Sequence, residues 1–249
     1  MVKTIARPRC LLRLLESLRN FYPDTSVVVA DDGRPEDQEQ SMKVCMEFDA
    51  EFVSYIFNSG APACYNDMVK NFVKTEYVCL LDDDFVFTEQ SRIEDLLVWV
   101  QAGVFDVMGG CVVARGSMAN FIGNLRYTKT QVVFERMFAG MTDAQKGPLQ
   151  ADVIPNFWAA ETDALKAVPW DGEQKVFRHL DWFMYAKYVC PGEYMRKAPA
   201  LRVGYLNTVR IDHQHQQSGT YYEDLRHGAI PEYRQRFCKK WDVHEVIGD

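Results

Sequence analysis

Two short apolar runs, each ending in a cluster of aspartates, constrain the fold of this chain most strongly. The runs and their clusters are residues 26–30 with Asp31 and Asp32, and residues 77–81 with Asp82, Asp83 and Asp84. The length and β-branched content of the runs predict buried strands. Apolar residues at helical spacing lie beside them, as in residues 10–21 and 63–74. This alternation predicts an α/β fold with a largely parallel sheet.

The composition is that of a folded protein of ordinary size. The chain has 249 residues, 47% of them hydrophobic, which is enough to bury the core of a single domain. Its net charge of −7 argues against the cationic surface of a nucleic-acid-binding protein. No apolar run approaches the roughly 20 residues that cross a bilayer. We therefore expect a cytoplasmic protein, or a Golgi lumenal one if the chain is a truncated form. Peripheral membrane association and the oligomeric state stay open.

The chain contains seven cysteines, an odd number, without CxxC spacing. A dense disulfide framework uses an even set of cysteines, and structural zinc sites use closely spaced pairs. The cysteines therefore indicate reduced thiols in a cytosolic setting.

The three adjacent carboxylates at residues 82–84 predict a divalent-metal site. On an extended backbone, alternate side chains share a face, so Asp82 and Asp84 point one way and Asp83 the other. Carboxylate oxygens suit Mg²⁺ or Mn²⁺, which complete their coordination with water and substrate phosphates. His213 and His215 follow another apolar segment and could also reach the metal, and an imidazole ligand would favour Mn²⁺. A solvated turn at the strand end is the alternative.

The pair Asp31 and Asp32 indicates a second binding element. Acidic residues at this place can accept hydrogen bonds from a nucleoside, although turn formation is again the alternative. A parallel sheet brings the carboxyl ends of its strands to one edge, where ligands bind. We therefore expect both acidic clusters to lie at the same site.

A further candidate carboxylate, Asp181, has aromatic neighbours in the sequence. Asp181 precedes Trp182 and Phe183, and partial burial there would raise its pKa and suit it to general-base catalysis. The alternative is that Asp181 caps the helix that follows. Trp158 and Trp182 could form sugar-stacking surfaces, although most aromatic residues in a domain of this size belong to its core. The sequence contains no GxGxxG, phosphate-binding P-loop or GxSxG motif.

Together these motifs resemble the ganglioside-type β-1,4-N-acetylgalactosaminyltransferases, a group similar to glycosyltransferase family 2. The matching segments, in chain order, are FYP at 21–23, VVADD at 28–32, LDDDFVFT at 81–88, FDVMGG at 105–110, NF at 156–157, TD at 162–163, HLDWF at 179–183 and IDH at 211–213. Ordered matches of this extent are more specific than the aspartate triplet alone.

The resemblance implies a GT-A fold, in which helices flank a Rossmann-like, mostly parallel central sheet. It implies metal-dependent transfer from a UDP-sugar with inversion at the anomeric carbon. Asp82, Asp84 and His213 would then bind Mn²⁺ or Mg²⁺, and Asp181 would deprotonate the acceptor hydroxyl. The implied nucleotide-sugar contacts are Asp31, Asp32, Asn66, Asp82 and Asp83, and the implied acceptor or sugar contacts are Trp158, Trp182 and His179.

The chain departs from that family at three positions and leaves the substrates open. Asp181 replaces a glutamate, Tyr65 replaces an arginine, and Glu161 replaces a basic residue. The donor sugar could be GalNAc, GlcNAc, Gal or Glc, and the acceptor a glycan, polysaccharide or glycolipid. Within a single domain, we expect residues 1–115 to bind the donor and residues 116–249 to bind the acceptor. A metal-dependent nucleotidyltransferase and a non-catalytic glycan-binding domain are the alternative functions.

Overall fold

The central element of the fold is a ten-stranded mixed β-sheet. A computed structural model describes residues 1–118, 121–137, 147–176, 178–189, 201–214, 221, 224–225 and 228–248. The helices are α1 Pro8–Phe21, α2 Pro35–Glu47, α3 Ala61–Asp67, α4 Ile93–Gln101, α5 Thr162–Ala167, α6 Arg178–Tyr188 and α7 Ile230–Lys240. A π-helical turn, Met68–Phe72, continues α3.

The strands form the large sheet and a separate three-stranded sheet. They are β1 Val2–Thr4, β2 Val28–Asp31, β3 Glu51–Ser54, β4 Tyr77–Asp82, β5 Phe85–Val86, β6 Val107–Ala114, β7 Ser117–Met118, β8 Gly123–Tyr127, β9 Gln131–Arg136, β10 Leu149–Gln150, β11 Trp158–Glu161, β12 Val203–His213 and β13 Glu245–Ile247. The large sheet has the order β10-β12-β6-β11-β4-β1-β2-β3, with β5 paired to β12 and β7 to β6. Strands β13, β9 and β8 form the small sheet.

The expectation of a mostly parallel sheet holds within two groups of strands but not between them. Strands β3, β2, β1 and β4 are parallel neighbours, and β6 and β12 are also parallel. Between these two groups, β11 runs antiparallel to both β4 and β6. The sheet is therefore mixed. Because β11 comes from the second half of the chain, the two halves share this sheet, and their division into donor and acceptor halves stays a prediction.

The strand register places both acidic clusters beside the residues of β1. In β1, Lys3 lies opposite Ala30 of β2 and Asp82 of β4, and Thr4 lies opposite Asp31. Because β1 lies between β2 and β4, its residues lie between the two acidic clusters. Neither β1 nor α2 was predicted from the sequence.

Apolar faces cover both sides of the sheet. On α1, Leu11, Leu14, Leu15 and Leu18 are at most 2% exposed and recur at the spacing of one helix face. The helix α3 and its π-helical turn pack on the other side through a run that includes Cys64, Tyr65 and Met68. Burying these two faces against the strands fixes the loops at the carboxyl ends of the strands. Within the described ranges, none of the helices has both the length and the apolar character needed to cross a bilayer.

Candidate active site

A cavity of about 740 Å³ opens at the carboxyl ends of the parallel strands. It is lined by residues from both acidic clusters and from the end of β12. Among the residues predicted from sequence, the structure brings together Asp32, Asp82, Asp84, His179 and His213. His215 lies outside the described residues.

Asp84 lies at the centre of a charged group in this cavity. The Arg7 guanidinium donates a hydrogen bond from Nη1 to Asp84 Oδ2 at 2.7 Å, and His213 Nε2 lies 3.1 Å from the same oxygen. Burial alone would raise the pKa of Asp84, but the hydrogen bonds and charges of His213 and Arg7 outweigh it and hold that pKa below its usual range. The hydrogen bond to Asp84 in turn raises the pKa of His213. Asp84 is therefore a carboxylate that is already paired with cations.

Asp83 does not line the cavity, whereas Asp82 and Asp84 do. Strand alternation is not the reason, because β4 ends at Asp82, and Asp83 and Asp84 lie in the turn before β5. Asp83 is fully buried, accepts a 2.6 Å hydrogen bond from the Thr4 hydroxyl, and forms a salt bridge with Arg7. Burial raises the pKa of Asp83, and the charge of Arg7 opposes that rise. The expectation that Asp83 contacts the nucleotide-sugar is therefore wrong, because Thr4 and Arg7 hold its carboxylate away from the cavity.

Asp82 and Asn156 form a polar wall of the cavity. The Asn156 side-chain amide donates to both carboxylate oxygens of Asp82, at 3.1 and 3.2 Å. Asn156 precedes β11, whose antiparallel pairing with β4 brings the two residues together. Asn156 was matched to the family from sequence but was not predicted as a site residue.

The donor atoms suit a divalent cation in part. His213 Nε2 and Asp84 Oδ2 lie together, 3.1 Å apart in a hydrogen bond, and both belong to residue types that bind divalent ions. Among the described residues, however, no three His, Cys, Asp or Glu side chains are grouped as a metal site would require. Arg7 also shares Asp84 Oδ2. The residues thus provide suitable donor atoms, and Asp82 lines the same cavity.

The two residues of the first acidic cluster have different surroundings, because Asp31 belongs to a turn and Asp32 lines the cavity. Asp31 is fully buried, and its Oδ1 accepts the Gly33 N–H at 2.6 Å, so it has the role of a turn residue. Asp32 lines the cavity, where its Oδ2 accepts the Gly60 N–H at 2.7 Å and its Oδ1 lies 2.7 Å from Lys3 Nζ. Both side chains are buried, but Asp32 lines the cavity and Asp31 does not, so the expectation for Asp31 is corrected.

Asn66 binds protein backbone. Its side chain donates to the Trp170 carbonyl at 2.7 Å and accepts the Trp170 N–H at 2.9 Å. Both ends of the amide are therefore used to fasten α3 to the segment before α6. The expectation that Asn66 contacts the nucleotide-sugar is corrected on this ground.

The two tryptophans predicted to contact sugar lie in the core. Trp158 and Trp182 are 1% and 2% exposed and stack with their ring planes 8° apart and centroids 5.7 Å apart. Trp170 stacks on both of them. This cluster supports the floor of the site and leaves no ring face free for a sugar, so the expectation for Trp158 and Trp182 is wrong.

Asp181 also lies in the core. It is 1% exposed, and its two oxygens accept hydrogen bonds from Lys240 Nζ at 2.7 Å and Trp241 Nε1 at 2.8 Å. Burial raises the pKa of Asp181, while Lys240 and Trp241 oppose that rise. Asp181 lies inside α6, so it is not a cap. It fastens the end of α7 to α6, and the structure contradicts the expectation that it faces an acceptor.

Cationic residues complete the cavity wall. Lys3, Arg7, Lys175 and Arg178 line it, although none was predicted from sequence. Lys3 lies in the unpredicted strand β1, and Arg7 follows it. The sequence signal that could have found them is the need of five clustered aspartates for positive partners.

Comparison with known proteins agrees with this site. Residues 1–168 match the sequence model of glycosyl transferase family 2. The mouse beta-1,4 N-acetylgalactosaminyltransferase 2 is 30% identical over 187 residues, covering 73% of this chain and 34% of that protein. The human beta-1,4 N-acetylgalactosaminyltransferase 1 is 28% identical over 222 residues, covering 85% of this chain and 38% of that protein. The chain thus spans about a third of the length of these relatives.

Solved structures show the same fold at low sequence identity. GalNAc-T7, crystallised with UDP, GalNAc and Mn²⁺, has a TM-score of 0.63 and 9% identity, covering 98% of this chain and 54% of that one. Residues 1–349 of S. aureus TarS have a TM-score of 0.59 and 17% identity, covering 96% of this chain and 63% of that one. These likenesses confirm the GT-A fold.

Proposed function

The chain belongs to glycosyl transferase family 2, and we propose that it is an inverting, metal-dependent enzyme that transfers a sugar from a UDP-sugar to a hydroxyl group. The family and the N-acetylgalactosaminyltransferase relatives make it a glycosyltransferase. The observation that carries the finer proposal is the convergence of Asp32, Asp82, Asp84 and His213 on one cavity at the strand ends. The acceptor is a glycan, polysaccharide or glycolipid.

The nucleoside would occupy the end of the cavity beside Asp32. Asp32 lines the cavity, and Lys3 and the Gly60 N–H hold its carboxylate in place. Gly60 contributes to this wall because its φ of +90° turns its N–H toward Asp32, a conformation that glycine adopts without strain. An acidic acceptor of hydrogen bonds at this place suits the N–H or hydroxyl groups of a uridine.

The diphosphate would lie among Asp82, Asp84, His213 and Arg7. Mn²⁺, or Mg²⁺ in its place, would be held by the two carboxylates with the imidazole as a further ligand. A divalent cation there would neutralise the charge of the diphosphate and of the departing UDP. Arg7 supplies part of the same positive charge from the protein itself, because its guanidinium already lies against Asp84.

The relatives favour GalNAc as the sugar and inversion as the stereochemical course. Two of them are named as beta-1,4 N-acetylgalactosaminyltransferases. UDP-GalNAc is an α-linked donor, so a single displacement at its anomeric carbon gives a β-glycoside. GlcNAc, Gal and Glc remain the alternative sugars for this chain. The family assignment favours glycosyl transfer over the nucleotidyltransferase and glycan-binding alternatives.

Isothermal titration with UDP tests the proposal without an acceptor. UDP is titrated with and without Mn²⁺ into the parent protein, into Asp84→Asn, and into Asp95→Asn as a control on the exposed face of α4. We expect binding that requires Mn²⁺, that is at least about tenfold weaker in Asp84→Asn, and that is unchanged in the control. Equal UDP binding without metal would contradict the metal role. No UDP binding under any metal condition would contradict the UDP-sugar proposal.

A further inference from the structure

Two of the four cationic residues in the cavity wall already face carboxylates. Lys3 Nζ lies 2.7 Å from Asp32 Oδ1, and Arg7 forms salt bridges with both Asp83 and Asp84. A carboxylate partner cancels much of the charge that a cation can offer to a phosphate. A diphosphate held against the aspartates of the cavity therefore needs further positive charge, from a metal ion or from another side chain.

Two uncharged acceptors orient Arg178 at the cavity wall. Arg178 is half-buried, begins α6 and lines the cavity, as Tyr65 does. Its Nη1 donates to the Lys175 carbonyl at 3.4 Å, and its side chain also forms a hydrogen bond with that of Tyr65. Arginine has only donors, so the Tyr65 hydroxyl accepts this bond. Neither acceptor carries a negative charge, so neither cancels the charge of the guanidinium.

The charge of Arg178 acts on the same part of the cavity as the charge of Asp82. Burial raises the pKa of the Tyr65 phenol, the charge of Arg178 lowers it, and the charge of Asp82 raises it. Both charges therefore lie close to the Tyr65 hydroxyl. Arg178 thus brings positive charge near an aspartate that is proposed to bind the metal.

Position 65 connects this geometry to the sequence. This chain has tyrosine there, whereas the family that its motifs resemble has arginine. In the structure, the tyrosine at this position binds the guanidinium of Arg178, which comes from α6. The positive charge that the family would carry on α3 is thereby present in the same part of the cavity, but it is carried by another helix.

We propose that Arg178 binds the diphosphate of the UDP-sugar and takes the place of the arginine missing at position 65, an inference that rests on the proposed function. A guanidinium presents its N–H donors in a planar fork that matches the oxygens of a phosphate. Arg178 would supply this charge from α6, in addition to the metal held by the aspartates. Tyr65 is a positioning residue, because its hydroxyl orients the guanidinium.

Isothermal titration with UDP in the presence of Mn²⁺ tests the role of this charge. Arg178→Gln removes the charge, Arg178→Lys keeps it, and Arg126→Gln is the matched control at an exposed arginine of β8. We expect UDP affinity to fall at least about tenfold in Arg178→Gln, about threefold or less in Arg178→Lys, and not at all in the control. Added NaCl should weaken UDP binding less steeply in Arg178→Gln than in the parent protein, because one contact that salt screens is gone.

A double-mutant cycle tests whether Tyr65 acts through Arg178. Tyr65→Phe should weaken UDP binding about two- to fivefold in the parent protein and leave it unchanged in Arg178→Gln. An equal effect of Tyr65→Phe in both backgrounds would overturn the positioning role of Tyr65.

Two results would overturn the role of Arg178 while leaving the proposed function intact. One is parent-like UDP affinity in Arg178→Gln. The other is an equal loss of affinity in Arg178→Gln and Arg178→Lys with the salt dependence of the parent protein, which would make the role of Arg178 structural. If the parent protein binds no UDP and consumes none of UDP-GalNAc, UDP-GlcNAc, UDP-Gal and UDP-Glc, the proposed function itself fails and the inference falls with it.

Discussion

Burial of a neutral His179 predicts a specific loss of stability in acid. The imidazole of His179 is neutral in the folded protein and cannot take a proton without cost, because its Nε2 is covered and Arg178 lies beside it. In the unfolded chain the same imidazole takes up a proton freely. Lowering the pH from 7.5 to 5.0 should therefore favour unfolding through this residue.

The magnitude follows from the two pKa values. The pKa of His179 is about 3 in the folded protein and about 6.5 in an unfolded chain. The stabilising contribution is fully present above pH 6.5 and is lost as the pH falls toward 3, because only the unfolded state binds the proton in that interval. At about 1.36 kcal/mol per pH unit, the free energy of unfolding falls by about 2 kcal/mol at pH 5.0.

Urea denaturation at the two pH values measures this loss. Other titrating groups also change the stability, so the relevant quantity is the difference between the parent protein and His179→Gln, which has no titrating group at this position. We expect the parent to lose about 2 kcal/mol more than the variant between pH 7.5 and 5.0. An equal loss in the two proteins would refute the neutral buried state of His179.

Three further substitutions test the arrangement of the site. Arg7→Met should lower the free energy of unfolding by about 3–5 kcal/mol, because Asp83 would be left buried without its cation. Thermal unfolding measures this loss, and an unchanged melting temperature would contradict it. Asp181→Asn should cost about 1–3 kcal/mol in urea by weakening its bond to Lys240, with UDP affinity unchanged, so a loss of UDP affinity would count against its placement in the core. Trp158→Ala should cost about 3–5 kcal/mol, whereas a small effect would contradict the stacked cluster.

The part of the site that depends on strand ends was predictable from sequence. An apolar run followed by aspartates identifies both a strand and the edge at which it stops, as in β4 with Asp82. Because β1 lies between β2 and β4, the structure brings Asp32 and Asp84 to one cavity, as the parallel arrangement predicts. Strand alternation was not a sound basis for residues 83 and 84, because they form a turn and both bind the Arg7 guanidinium. The predictions from the strand ends rest on local geometry that the sequence alone specifies.

The errors concern side chains whose direction depends on distant partners. The hydrogen-bond partners of Asp181 are Lys240, the last residue of α7, and Trp241, which lie 59 and 60 residues further along the chain. No local sequence pattern predicts these contacts. From the sequence, Trp158 and Trp182 were compatible with either a sugar-stacking surface or the core. Their stacking with Trp170 places them in the core. The strand β1 was missed because its three residues are too few to show a period.

The account's central claim is tested most directly by the product of the reaction. Each of the four UDP-sugars is incubated with Mn²⁺, the protein and a panel of aryl glycosides, and the mixture is analysed by mass spectrometry and proton NMR. The account predicts release of UDP and, with UDP-GalNAc as the favoured donor, a new glycoside whose added sugar is in the β configuration. A product retaining the α configuration, release of pyrophosphate, or no consumption of any donor would contradict it.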